Sequence, residues 1–295
     1  MEGTEGMERK NSEEGNVTAV TTATTMQNFD IELQLLLQAI YQKYQHDFRD
    51  YSLASLRRRM TQARADFGCK TLSELQGLIL YDSAAFARLL QYLTVQVSEM
   101  FRDPAYFKTL RERVVPLLQT YPSVKIWVAG CSSGEELWSL AIILEEEGLA
   151  ERAVFYATDV NPQALRVAAA GVYPLERLAS FSKNYIAAGG KRSLSDYYHA
   201  AYGAATFSRH LKRHVVFADH SLATDSVFSE VHLVSCRNVL IYFNEALQNR
   251  ATGLFTEALV RKGFLGLGSK ESMRFSANMS AYDEFAADAR LYQKR

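Results

Sequence analysis

Val124 to Glu136 reads V-K-I-W-V-A-G-C-S-S-G-E-E. An apolar, β-branched run ends in a glycine turn, and a second glycine opens a helical segment, the grammar of a strand feeding a helix. The same grammar repeats downstream. A-V-F-Y-A-T (153–158) precedes a helix predicted over Pro162–Ala170, and H-V-V-F (214–217) and V-H-L-V-S (231–235) read as strands. A helix over Asn244–Arg261 and F-L-G-L-G (264–268) follow, with M-R-F-S-A-N and R-L-Y-Q-K as candidates for closing antiparallel strands. Strands alternating with helices predict a parallel, doubly wound α/β sheet.

Two regions fall outside that rhythm. Between Gly171 and Arg213, tyrosine, phenylalanine and glycine replace aliphatic residues, which predicts a small insertion of hairpins, a β-subdomain at about 180–213. Before the sheet, Phe29 to Thr94 has helical spacing, with Phe29, Leu33, Leu36, Leu37 and Ile40 on one face and three more such faces after it. Ser52, Thr71 and Ser83 stand where caps belong, so a helical bundle is expected over 28–95 and the α/β domain over 96–295. Its second helix carries Arg57, Arg58, Arg59 and Arg64, which reads equally as a solvated face or a docking surface. Residues 1–27 are rich in Glu, Gly and Thr and read as a disordered tail.

Composition narrows the function classes. The 295 residues balance 33 Lys+Arg against 33 Asp+Glu, which argues against a protein working by bulk attraction to nucleic acid or anionic membrane. Three separated cysteines offer no disulfide framework or zinc knuckle, so no metal site is expected. No membrane-length apolar run or signal peptide is legible, and a cytoplasmic protein is expected.

In an open α/β sheet, ligands bind at the carboxyl ends of the strands. Gly130 and Gly134 frame the first such turn without a G-x-G-x-x-G fingerprint. Glu135 and Glu136 would repel a pyrophosphate there, so a cofactor without phosphates fits better. Asp159, ending the next strand in A-T-D-V-N, stands where ribose hydroxyls are bound, or else caps the following helix beside Asn161. F-A-D-H-S-L (217–222) and S-C-R-N-V-L-I-Y-F (235–243) end two further strands. Arg237 and Asn238 are hard to explain as packing, whereas Tyr242 alone reads as core, and Cys131 and Cys236 as small buried residues.

L-T-V-Q-V-S-E-M-F-R-D (93–103), G-C-S-S-G-E-E, A-T-D-V-N and S-C-R-N-V-L-I-Y-F, in this order behind a helical domain, resemble the chemotaxis receptor methyltransferases, CheR. The resemblance spans about residues 29–295. It implies a class I, Rossmann-like methyltransferase sheet with an all-α N-terminal domain and an inserted β-subdomain. The implied reaction carries a methyl group from S-adenosyl-L-methionine to glutamate side chains of chemoreceptor cytoplasmic helices, leaving S-adenosyl-L-homocysteine. Carried over by motif, cofactor contacts fall on Gln96, Ser98, Arg102, Gly130, Glu135, Asp159, Ser221, Leu222, Arg237 and Asn238, and the side chains nearest the chemistry are Arg102 and Tyr242. Gln96 and Ser98 replace the Asn and Thr of familiar members, and Ser221 replaces an Asn.

The resemblance also favours the docking reading of Arg57, Arg58, Arg59 and Arg64, since receptor methylation helices are rich in Glu. A monomer recruited to receptor arrays is expected, with no nucleic acid partner and no membrane insertion. The short stretch 195–207, with Gly203 alone in place of a G-x-G pattern, predicts no peptide tether. The alternative is a non-catalytic module that senses S-adenosylmethionine, which would have no need of Arg102 and Tyr242.

Overall fold

The computed structural model describes residues 28–295, which fall into two compact units: 28–49 with Leu53–Leu93, and Asp50–Ser52 with Thr94–Arg295. The tail expected to be disordered, 1–27, lies outside the described residues.

The first unit is four helices: α1 (28–44), α2 (Leu53–Asp66), α3 (Leu72–Tyr81) and α4 (Ser83–Leu93). Most of the apolar faces read from spacing are buried, including Leu36 and Ile40 of α1, Leu75 and Ile79 of α3 and Leu89 and Leu93 of α4, whereas Leu53 and Leu78, expected on those faces, are exposed. Thr71 caps α3 by accepting from the Glu74 amide at 3.1 Å. Asp82, one residue before the expected Ser83, takes the Ala84 amide at 2.8 Å.

The arginine cluster of α2 is not one face. Arg59 is buried with Leu56, Met60 and Ala63, its guanidinium donating to the Ser55, Tyr92 and Leu93 carbonyls, so it satisfies the end of α4 and offers nothing to a partner. Arg57 forms a two-pronged ion pair with Asp30, each contact 2.7 Å, while Arg58 is exposed and Arg64 half-buried. The expectation of a four-arginine surface is therefore corrected to Arg57, Arg58 and Arg64.

The second unit is built on a seven-stranded sheet. In chain order its strands are β1 (Val124–Ala129), β2 (Ala153–Asp159), β6 (Val215–Asp219), β7 (Val231–Cys236), β8 (Leu259–Leu267), β9 (Tyr282–Ala286) and β10 (Leu291–Lys294). They lie in the order β6-β2-β1-β7-β8-β10-β9; the first five are parallel, and β10 and β9 close the edge antiparallel. Side chains alternate along β1. Ile126 and Val128 join a core with Leu140 and Ile143 of α7 (Glu135–Glu146), while Trp127 and Ala129 join one with Leu247 and Phe255 of α10 (Glu245–Ala258). Strand order reverses beside β1, and in open sheets the ligand crevice falls at the carboxyl end of the strands at that point.

The insertion between α8 (Pro162–Ala170) and β6 is a three-stranded sheet in the order β3-β5-β4, from Val172–Pro174, Ala204–Phe207 and Tyr198–Ala201. It begins earlier than expected and also holds a helix, α9 (Leu178–Ala187), whose Phe181 and Tyr185 are fully buried. Two further readings change. Leu259–Arg261 opens β8 instead of ending α10, and 273–278 is loop, the closing strand coming from β9 instead.

Arg59→Ala is expected to destabilise the helical unit by ~1–3 kcal/mol, because it leaves carbonyls at the end of α4 unpaired, and Arg58→Ala by under ~0.5 kcal/mol. Urea denaturation measures both, and equal losses would refute the assignment.

Candidate functional site

Four loops meet at the carboxyl edge of β6, β2, β1 and β7. A strap, residues 94–103, crosses them. Its first half closes a ring of hydrogen bonds. Ser132 Oγ donates to Gln96 Oε1 (2.8 Å), and the Ser132 amide donates to Asp159 Oδ2 (2.8 Å). The Asn161 amide donates to Asp159 Oδ1 (2.9 Å), Asn161 Nδ2 donates to Thr94 Oγ1 (2.8 Å), and Gln96 Nε2 donates back to Thr94 Oγ1 (3.2 Å). Both Asp159 oxygens thus hold backbone, with lone pairs left over for another donor. Asn161 is the helix cap, its Oδ1 taking the Gln163 amide at 2.9 Å.

The second half of the strap is held by Arg237, whose side chain is 1% exposed. Its Nη2 donates to the Arg102 carbonyl (2.8 Å) and Asp103 Oδ2 (2.9 Å), and its Nη1 to Glu136 Oε2 (3.2 Å). Glu136 Oε1 accepts from Ser235 Oγ at 2.6 Å, and the guanidinium lies over the Tyr106 ring at 4.1 Å. Arg237 is therefore a buried clamp on the residue beside it in the strap. The half-buried Arg102 makes no hydrogen bond or ion pair through its own guanidinium among the described residues.

Glu271 does for the β7 loop what Arg237 does for the strap. It is 5% exposed and accepts the amides of Asn238 (2.9 Å), Gly268 (2.6 Å) and Ile241 (3.3 Å). Tyr242, half-buried in the same loop, has its carbonyl held by the Ser52 amide at 2.7 Å.

These clamps explain the backbone. Phe101, Asp103, Ser132 and Asn238 are non-glycine residues at φ 50°, 57°, 50° and 61°, a left-handed conformation that survives only where surroundings enforce it. Each has its enforcer: Ser139 Oγ takes the Phe101 amide (2.9 Å), Arg237 holds Asp103, Asp159 holds Ser132 and Glu271 holds Asn238. Gly130, at φ 69°, is required by packing, since a Cβ there would lie 2.6 Å from Val239.

Glu135 is fully buried, with Oε1 on Arg177 Nη1 (2.8 Å) and Oε2 on Ser133 Oγ (2.7 Å), and like Asp159 it keeps lone pairs for a further donor. Ser221 turns the loop after β6, its amide on Asp225 Oδ2 (3.0 Å), with Leu222 buried beside it. Burial pushes both the Cys131 and Cys236 thiols well up, as suits inert packing residues. Sequence reading missed Glu271, Arg177, Thr94 and Ser235, whose partners lie tens of residues away.

Burial pushes the Asp159 and Glu271 carboxyls up, against their backbone hydrogen bonds. A raised folded-state carboxyl favours folding below its unfolded pKa and loses that contribution as pH rises through the folded value, so both groups cost stability at neutral pH.

Five parallel strands in this order with an antiparallel edge, a glycine turn after β1 and an acid ending β2 are the arrangement of a class I methyltransferase. A family model described as CheR methyltransferase, SAM binding domain, matches residues 96–286, and one described as CheR methyltransferase, all-alpha domain, matches residues 31–94. A Pseudomonas putida protein, "Putative methyltransferase Cher3", is 55% identical over 271 residues, covering 92% of this chain and 99% of its own. "Chemotaxis protein methyltransferase 2" of Pseudomonas aeruginosa is 30% identical over 195 residues, 63% of this chain and 67% of its own. A Listeria monocytogenes "Chemotaxis protein methyltransferase" is 26% identical over 234 residues, 77% and 84%. The chain belongs to the CheR methyltransferase family, and its cofactor is S-adenosylmethionine. The carboxylates Asp159, Glu135 and Glu136 gathered at the crevice suit a cationic, phosphate-free nucleoside.

If Asp159 receives the ribose, S-adenosylhomocysteine affinity falls as pH drops, starting above the ordinary aspartate range near ~3.9, because protonation removes an acceptor. Asp159→Asn should bind weakly with no such inflection in a calorimetric pH series; an unchanged inflection would assign it elsewhere.

Proposed function

We propose that this protein transfers the methyl group of S-adenosylmethionine to glutamate side chains on the cytoplasmic helices of chemoreceptors. Support comes from the chemotaxis names of its relatives and, in the site, from the Arg102 guanidinium, which makes no hydrogen bond or ion pair among the described residues. Arg237 and Arg177 are both paired with carboxylates, whereas among the described residues Arg102 is not.

S-adenosylmethionine supplies a methyl already activated by its sulfonium. A glutamate with pKa ~4.3 arrives ionised, so no general base is needed. The protein must strip water from that carboxylate and hold one oxygen in line at ~3–3.5 Å. Arg102 does this through a charge-assisted hydrogen bond, its backbone fixed by Arg237. Tyr242, on the loop pinned by Glu271 and Ser52, supplies a second donor or walls the methyl path. Gln96, Ser98, Asp159, Ser221, Leu222 and Asn238 line the cofactor along strap and strand ends, and Glu135, Gly130 and Arg237 shape that lining from behind.

Receptor helices rich in Glu dock on the basic residues that α2 exposes, Arg58 and Arg64, with Arg57 shared with Asp30. Among the described residues no helix is long and apolar enough to cross a membrane. The protein works as a monomer recruited to receptor arrays on their cytoplasmic side.

Labelled S-adenosylmethionine incubated with receptor cytoplasmic fragments should give label that is released by base, the signature of a carboxyl methyl ester. Base-stable label, or none, contradicts the reading and favours a module that only senses the cofactor. In single turnover, Arg102→Ala should slow transfer roughly 10- to 100-fold and Tyr242→Phe less. Wild-type rates in both would remove the assignment. Charge reversal at Arg58 and Arg64 should weaken receptor methylation and flatten its dependence on salt.

A further inference from the structure

The insertion is bonded to the loop after β1 and to the strap. Tyr173 of β3 donates its hydroxyl to the Ser133 carbonyl at 2.7 Å, and Asn184 of α9 donates to the Met100 carbonyl at 3.1 Å. Between them Arg177, in the 3-10 turn Leu175–Arg177, reaches two elements at once. Its Nη1 pairs with the fully buried Glu135 at 2.8 Å, and its Nη2 donates to the Ser98 carbonyl in the strap. Its guanidinium lies 4.8 Å from the Phe181 ring and 5.8 Å from the Tyr173 ring, so both rings of the insertion fix its direction.

A carboxylate buried at the first turn of α7 needs a partner, because an isolated buried charge is strongly destabilising. Arg177 is the only cation paired with Glu135 among the described residues, and its second contact ties that neutralisation to the strap. The place of this clamp along the crevice is informative. With Ser221 and Leu222 after β6 and Asp159 ending β2, base and ribose lie on the β6–β2 side. Ser98 lies further along the strap, between Gln96, bonded to Ser132, and Arg102, bonded to Arg237 at the end of β7, and Arg177 joins its carbonyl to Glu135. That stretch falls to the part of the cofactor beyond the ribose, its zwitterionic amino-acid end.

We propose that Arg177 is a positioning residue for the amino-acid end of S-adenosylmethionine, acting through Glu135 and the Ser98 carbonyl. This rests on the cofactor contacts proposed above. The insertion thereby sets cofactor affinity, and anything that displaces the Arg177 turn is felt at the crevice. A lysine at this position keeps the charge but lacks the planar fork that spans two acceptors.

Two ligands separate this role from a general structural one. S-adenosylhomocysteine carries the amino-acid end, and 5′-methylthioadenosine has base, ribose and sulfur without it. By calorimetry, Arg177→Ala should weaken S-adenosylhomocysteine roughly tenfold or more and Arg177→Lys by less, with 5′-methylthioadenosine within about twofold of wild type in both. Unchanged S-adenosylhomocysteine affinity, or equal losses for the two ligands, would overturn the proposal. Arg177 is one-third exposed, and should the alanine variant fail to fold, the lysine variant decides by the same comparison. Failure of the wild-type protein to bind S-adenosylhomocysteine would instead sink the underlying cofactor reading, so the two failures are distinguishable.

Discussion

A guanidinium with almost no solvent exposure, that of Arg237, joins three segments that are far apart in sequence: the end of β7, the start of α7 and the strap before the sheet. Burying a charge is unfavourable unless its partners are well placed, and Glu136, Asp103 and the Arg102 carbonyl are those partners. The consequence is a fixed backbone at Arg102, whose side chain makes no hydrogen bond or ion pair among the described residues. Glu271, Asp159 and Arg177 repeat the device with other charges. A site made of loops is fixed because each loop is stapled by a paired or hydrogen-bonded ionisable group, buried in all but Arg177.

The arrangement accounts for the unfavourable features of the mouth. Four side-chain-bearing residues in left-handed backbone and two carboxyls whose burial raises them would all be costs in an ordinary turn. Here each is held by a defined partner: Asp159 holds Ser132, Glu271 holds Asn238, Ser139 holds Phe101 and Arg237 holds Asp103. Conformations that look strained one residue at a time are thus consistent as a set, as expected where function and stability compete.

Much of this was legible in sequence, for a physical reason. Strands buried on both faces read as apolar runs, and motifs ending them fall at the ligand edge by topology alone, so β1, β2, β7 and the positions of Asp159 and Arg237 followed. Bonds between distant residues leave no periodic mark, which hid Glu271 and Arg177. Leu259 to Arg261 continue an apolar pattern that helix and strand share, so the start of β8 was not separable from α10. Arg59 was different, because its spacing from Leu56 and Ala63 already placed it on the buried face of α2. Arginine is so often a surface residue that its chemistry points outward even where the helical pattern points inward.

In the proposed reaction the buried framework acts through Arg102. A double-mutant cycle of Arg102→Ala and Arg237→Lys, read as single-turnover methyl transfer, tests this. Strong coupling is expected: once Arg102 is gone, losing the clamp slows transfer by no more than about two- to threefold. Losses that multiply, with the double variant as slow as the product of the two single effects, would contradict it.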